Sequence, residues 1–181
     1  MGALPFAVWL CPEAEQERAL STQMEQLFQR YETPRFAPHM TLLGGRFRDE
    51  QELRSAFATA LEGKIAPIRL DVLGLEHSQA YFMTFFIKLA SSGALQELLA
   101  HMRACLDPDS PYEIRPHLSL IYAQMDAVAR GLLSENFELH SKTLVFDRLS
   151  LVVPSNRELG WNDIGSWRVL DSHQLTTAFR A

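Results

Sequence analysis

Apolar and polar positions along the chain fall into blocks that switch repeatedly between two periods. Phe6-Ala7-Val8-Trp9-Leu10 is an unbroken apolar run stopped by Pro12, the pattern of a covered strand. From Glu13 to Tyr31 the period turns helical, with Leu20, Met24, Leu27, Phe28 and Tyr31 on one stripe and acidic residues in the first turn. Thr33-Pro34 ends that helix. A strand from Pro38 to Leu43 follows, expected to halt at Gly44-Gly45. Asp49 is placed to cap a helix reaching Leu61, with Leu53, Phe57 and Leu61 at four-residue spacing and Gly63 closing it.

Ile68 to Leu75 and Tyr81 to Leu89 are rich in β-formers and separated by a hairpin-like connection. Ser91 or Ser92 can cap the next helix, which turns Leu95, Leu98, Leu99 and Met102 inward and runs through Cys105. After a Pro-rich loop from Asp107 to Pro111 come a strand at Pro116–Tyr122 and a short helix at Asp126–Leu133. Strands at Lys142–Val153 and Ser166–Ser172 flank a polar loop, Asn156–Asn162. The element order is nearly one pattern written twice. Short turns between strand pairs favour antiparallel sheets, so the expected fold is α+β: two pseudo-symmetric lobes with helices outside and a central cleft. No linker divides the chain, and residues 1–181 are read as a single domain of two lobes.

The repetition reaches the level of motifs. Pro38-His39-Met40-Thr41-Leu42 and Pro116-His117-Leu118-Ser119-Leu120 both read Pro-His-apolar-hydroxyl-Leu. Such a match is expected at roughly one position in 10⁵ at average amino-acid usage, so two of them are not an accident of composition. In a strand, His39 shares a face with Thr41, and His117 with Ser119, while the alternate residues anchor in the core. By the same alternation Tyr122 falls on the face of Leu118 and Leu120, so it reaches the cleft only if the strand twists or bulges.

Composition narrows the chemistry. A net charge of −5 without any Lys/Arg-rich run argues against a stable nucleic-acid partner. Cys11 and Cys105 lie in no Cys-x-x-Cys pattern and read as free thiols of a reducing compartment. No serine-nucleophile elbow, zinc-helix motif or phosphate-binding loop occurs, and neither His segment carries the carboxylate or Cys ligands that a metal site wants, so no metal or cofactor is expected. The absence of a signal peptide or a long apolar run leads to the expectation of a cytoplasmic protein, free of membrane and monomeric. Two facing imidazoles suit concerted acid–base work, one taking a proton from water and the other giving one to a leaving oxygen. The neighbouring hydroxyls can hold phosphate oxygens as charge develops.

At these residues the chain resembles the two-histidine (2H) phosphoesterases, and within them the cyclic phosphodiesterases of plants and yeast. The likeness includes Val8-Trp9-Leu10-Cys11-Pro12, Pro34-Arg35-Phe36-Ala37-Pro38-His39, and Pro116 to Ala123; it weakens past Ser155. The resemblance implies metal-independent opening of ADP-ribose 1″,2″-cyclic phosphate to ADP-ribose 1″-phosphate. It likewise implies conversion of nucleoside 2′,3′-cyclic phosphates to 2′-phosphates. It makes His39 and His117 catalytic and Thr41 and Ser119 phosphate ligands, with Trp9 and Tyr122 as candidate base or ribose contacts. The duplicated motif does not fix which histidine is base; the working assignment puts His117 on the water and His39 on the leaving oxygen. Competing readings are an enzyme of RNA 2′,3′-cyclic or 2′,5′ ends, and a non-catalytic nucleotide-binding module. The small acidic chain favours a small-molecule cyclic nucleotide.

Overall fold

In the computed structural model, which describes residues 3–63, 65–156 and 160–176, the expected elements appear in the expected order. They are β1 (Leu4–Pro12), α1 (Ala14–Tyr31), β2 (Met40–Phe47), α2 (Glu50–Ala60), β3 (Ile68–His77), β4 (Phe85–Leu89), α3 (Gly93–Leu106), β5 (His117–Ile121), α4 (Ala127–Asn136), β6 (Thr143–Pro154) and β7 (Trp167–Gln174). Capping follows the sequence signals. Asp49, Ser92 and Asp126 each accept a hydrogen bond from the backbone N–H three residues on. Helix α1 stops one residue before Thr33-Pro34, where Glu32 takes up the left-handed conformation (φ 51°).

All strand pairs are antiparallel, and the path through the sheet is β2-β1-β6-β3-β4-β5, with β7 also on β6. The chain halves therefore trade strands. Strand β3 closes the first half of the sequence but pairs with β4 of the second, and β6 closes the second half but pairs with β1 of the first. The motif strands β2 and β5 end the path on opposite sides and come into contact with each other. Leu20, Met24 and Phe28 of α1, Leu53 and Phe57 of α2, and Leu95, Leu98, Leu99 and Met102 of α3 enter one continuous core with the strands. Ala7, Trp9, Cys11 and Val152 form a second, smaller cluster together with the partly buried Trp161 and Trp167.

Three expectations change. Gly44-Gly45 does not halt β2, which continues to Phe47. A Cβ on Gly45 would stand 2.7 Å from the Phe6 ring and 2.8 Å from Asp107 Oδ2, so this glycine answers a close approach and marks no strand end. His39 sits one residue ahead of β2 rather than within it. Tyr81–Met83 is a single 3₁₀ turn and not the start of a strand. Of the expected polar loop, residues 157–159 lie outside the described residues, and 160–162 form another 3₁₀ turn.

Candidate active site

The two motif strands carry the same irregularity at the same place. Trp9 pairs with Thr41 and Val8 with Leu43, leaving Leu42 as the extra residue of a bulge. On the other side Phe86 pairs with Ser119 and Phe85 with Ile121, leaving Leu120 as the extra residue. Both members of each apolar doublet, Leu42-Leu43 and Leu120-Ile121, are fully buried. The bulge inverts the alternation beyond it, and this is what turns Tyr122 onto the wall of the cleft.

That cleft is a cavity of about 510 Å³ onto which His39, His117, Thr41, Trp9 and Tyr122 all open. Each histidine is held by one device. His39 Nδ1 lies 2.7 Å from the Ala37 carbonyl, and His117 Nδ1 lies 2.5 Å from the Arg115 carbonyl. A carbonyl only accepts, so Nδ1 carries the proton in both rings and Nε2 is left for chemistry. In each motif the intervening residue is a proline, Pro38 or Pro116, which fixes φ and biases the carbonyl-bearing residue before it toward an extended backbone.

The environments differ more than the motifs. His39 is 5% exposed and stacked on Trp9, with ring centroids 3.7 Å apart and planes 14° from parallel. Burial pushes its pKa down to about 4, the Ala37 carbonyl partly opposes this, and a charge on nearby His117 lowers it further. His117 is half-buried and meets the edge of Phe86 at 5.4 Å. Desolvation lowers its pKa as well, opposed by the Arg115 carbonyl and assisted by the Arg115 charge.

The hydroxyls also diverge. Thr41 is half-buried on the cavity wall. Ser119 is buried beneath it, and its Oγ donates to the Phe82 carbonyl at 2.8 Å, holding the 3₁₀ turn that carries Phe82. Thus the geometry sets Ser119 apart from the other expected site residues. Of the two arginines preceding the motifs, Arg35 forks onto Glu25 on the surface, whereas Arg115 stands exposed on the cavity rim.

Several cavity residues escaped the sequence reading. The loop before β5 reaches across to the free edge of β2: Asp107 Oδ2 accepts from Arg46 N–H at 2.9 Å, Ser110 Oγ donates to the Gly44 carbonyl at 2.5 Å, and Tyr112 Oη donates to the Thr41 carbonyl at 3.0 Å. Side chains stand in for an absent strand, and Tyr112 itself lines the cavity. Phe82 lines the cavity too, as do Trp161 and Trp167. The available signal was a pair of tryptophans in or beside a polar stretch. Among the described residues, no group of three or more His, Cys, Asp or Glu side chains is arranged to hold a metal ion. No helix is long and apolar enough to cross a membrane.

Paired imidazoles on duplicated strands of a two-lobed α+β fold define a two-histidine phosphoesterase. A family model described as the 2′-5′ RNA ligase superfamily matches residues 10–158, and the chain belongs to that family. It is 26% identical over 120 residues to a cyclic phosphodiesterase of Arabidopsis thaliana, a match covering 66% of each chain and so just under two thirds of that relative. Among solved structures, E. coli LigT in its apo form superposes with a TM-score of 0.62 at 14% identity, covering 98% of this chain and 100% of that one. The TT0787 protein of Thermus thermophilus gives 0.59 at 20% identity, covering 96% and 98%. At these identities the likeness is one of fold.

Proposed function

We propose that the protein hydrolyses cyclic phosphodiesters of nucleotide size without a metal, opening nucleoside 2′,3′-cyclic phosphates to 2′-phosphates and ADP-ribose 1″,2″-cyclic phosphate to ADP-ribose 1″-phosphate. The observation that carries this reading is the pair of histidines, each pinned through Nδ1 to a backbone carbonyl, which leaves Nε2 for chemistry, and both lining one cavity. In-line displacement at phosphorus needs a base on one side and an acid on the other. His117, half-buried and open to solvent, takes a proton from water as its oxygen bonds to phosphorus. The bond from phosphorus to the 3′-oxygen breaks, and His39 Nε2–H delivers the proton to that oxygen. A dry imidazole resists charging until an anion arrives beside it, and the phosphate of the substrate is that anion.

Thr41 presents its hydroxyl to a phosphate oxygen from the cavity wall. Ser119 reaches phosphate only by turning Oγ away from the Phe82 carbonyl, so its first task is to hold that turn. The −5 net charge and a cavity of about 510 Å³ support a small nucleotide over a long RNA strand. The test is a product screen in EDTA with 2′,3′-cyclic mononucleotides, ADP-ribose 1″,2″-cyclic phosphate and 2′,3′-cyclic-ended RNA, read by phosphorus NMR. A 2′-phosphate product from the mononucleotides supports the reading. No turnover of any cyclic phosphate, or activity lost to EDTA and restored by zinc or manganese, overturns it.

A further inference from the structure

We propose that the nucleobase of the substrate stacks on a wall built by Trp161, Trp167 and Phe82, which grips the flat face of any base without reading its edge. The inference rests on the nucleotide reading above and places the part of the substrate that reading leaves unplaced. The two rings expected from the sequence to meet a base are already engaged face to face. Trp9 lies on His39 at 3.7 Å, and Tyr122 lies on Phe36 at 3.9 Å with planes 14° apart. Among the described residues, Trp161, Trp167 and Phe82 have no such stacked partner, and their ring contacts are edge-on or tilted.

Position and chemistry agree with a base site. The Trp167 ring centroid is 6.4 Å from that of His39, so a ring resting on this wall sits within one ribose of the reacting phosphate. The half-buried Met83 adjoins Phe82 and continues the apolar surface, while the charged rim residues Glu113 and Arg115 belong to the loop before β5. The one polar side-chain atom of Trp167, Nε1–H, is committed to the Trp161 carbonyl at 3.2 Å. A wall of π faces binds every base, because every base has a face to offer, and larger purines gain more contact than pyrimidines. Both tryptophans follow residue 158, where the family match ends, so the segment beyond that match supplies two of the three rings of the wall.

The experiment compares kcat/KM for the four nucleoside 2′,3′-cyclic phosphates with that for methyl riboside 2′,3′-cyclic phosphate, which has the ring to be opened but no base. The expected advantage of the nucleotides is roughly 5–150-fold, the stacking contribution of one base expressed as a ratio. The four bases should lie within about tenfold of one another, purines leading. Trp161→Leu should shrink the advantage by raising KM for the nucleotides with kcat little moved. Binding of 2′-AMP and of ribose 5-phosphate to the wild-type protein, followed by tryptophan fluorescence, addresses the wall apart from catalysis. Quenching by 2′-AMP at concentrations where ribose 5-phosphate has no effect supports it. Equal kcat/KM with and without a base, or equal binding of the two phosphates, overturns the wall and leaves the hydrolytic reading standing. Failure of every cyclic phosphate to react overturns the hydrolytic reading instead, and the two binding curves still decide the wall.

Discussion

The imidazole of His39 rests on the indole of Trp9 as a closed stack, with the edges of Phe36 and Trp167 at its sides. Aromatic rings on three sides exclude the water that would solvate an imidazolium. The duplicated motif supplies the histidine, and its neighbours decide when that histidine accepts a proton.

Stability should therefore fall in acid. The unfolded chain takes up a proton at His39 near pH 6.5, which the folded protein refuses down to about 4. The neutral form thus contributes stability that is present above about pH 6.5 and is lost as pH falls through the folded value. The loss is about 3 kcal/mol from this residue, and His117 adds to it with the same sign. Urea unfolding between pH 7.5 and 4 measures it; His39→Asn should flatten the curve. An unchanged slope in that variant would mean that His39 is already solvated in the folded state.

Catalytic pH profiles should separate in the same sense. Unperturbed imidazoles would put both limbs at about 6 to 7.5. Burial lowers both rings, so the bell for kcat/KM, which reports the free enzyme, should lie on the acid side of that range. The bell for kcat should sit at higher pH, because the bound phosphate anion favours the charged ring. Trp9→Leu should move the kcat/KM bell toward neutrality by admitting water to His39.

Replacing either His39 or His117 by Ala should reduce kcat by at least about 10²-fold. The double variant should lose far less than the product of the single effects, since acid and base serve one displacement. Steady-state kinetics on the three variants, with circular dichroism to verify folding, checks this.

Thr41 and Ser119 should part company. Thr41→Val removes a hydroxyl from the cavity wall and should lower kcat by about 10- to 10³-fold with little change in stability. Ser119→Ala leaves the Phe82 carbonyl without its donor and should cost about 1 kcal/mol of stability, with the smaller effect on kcat. Equal kinetic losses at matched stability would return Ser119 to the phosphate.

Tyr112→Phe deletes the hydrogen bond to the Thr41 carbonyl and keeps the ring. Burial holds the phenol pKa up to about 12, so the lost group is a donor at every working pH. The expected cost is about 1 kcal/mol in stability, together with a fall in kcat greater than any change in KM, because the tyrosine fixes the strand that carries Thr41. Denaturant melts and kinetics of the one variant read both.

The helices were legible because their information is local. An apolar stripe and a capping Asp or Ser suffice, and Asp49 and Ser92 bind the N–H groups their positions imply. The paired histidines were legible because they are duplicated. Gly44-Gly45 misled because its cause is distant: Phe6 and Asp107 approach from elsewhere in the chain. The two bulges had a readable trace, a buried apolar doublet (Leu42-Leu43, Leu120-Ile121) where strict alternation demands a polar residue. Ser119 looked equivalent to Thr41 because a motif records residue type and spacing, whereas its hydroxyl is claimed by a carbonyl 37 residues away. Trp161 and Trp167 offered no periodicity at all, since they reach the cavity from a short 3₁₀ turn and the first residue of a strand.

The traded strands β3 and β6 bear on what the smallest protein of this shape can be. A chain ending after β3 would own one of the two motif histidines, and in the observed pairing its last strand takes both of its neighbours, β4 and β6, from the other half. Two such chains could complete each other by reciprocal gift of that strand, which is the geometry of a swapped dimer. Joining the copies head to tail makes the exchange permanent within one polypeptide. It also frees each copy to drift, so that one imidazole is walled off under an indole while its twin stays open to water. Two identical subunits would give both imidazoles the same surroundings, and the fused chain does not.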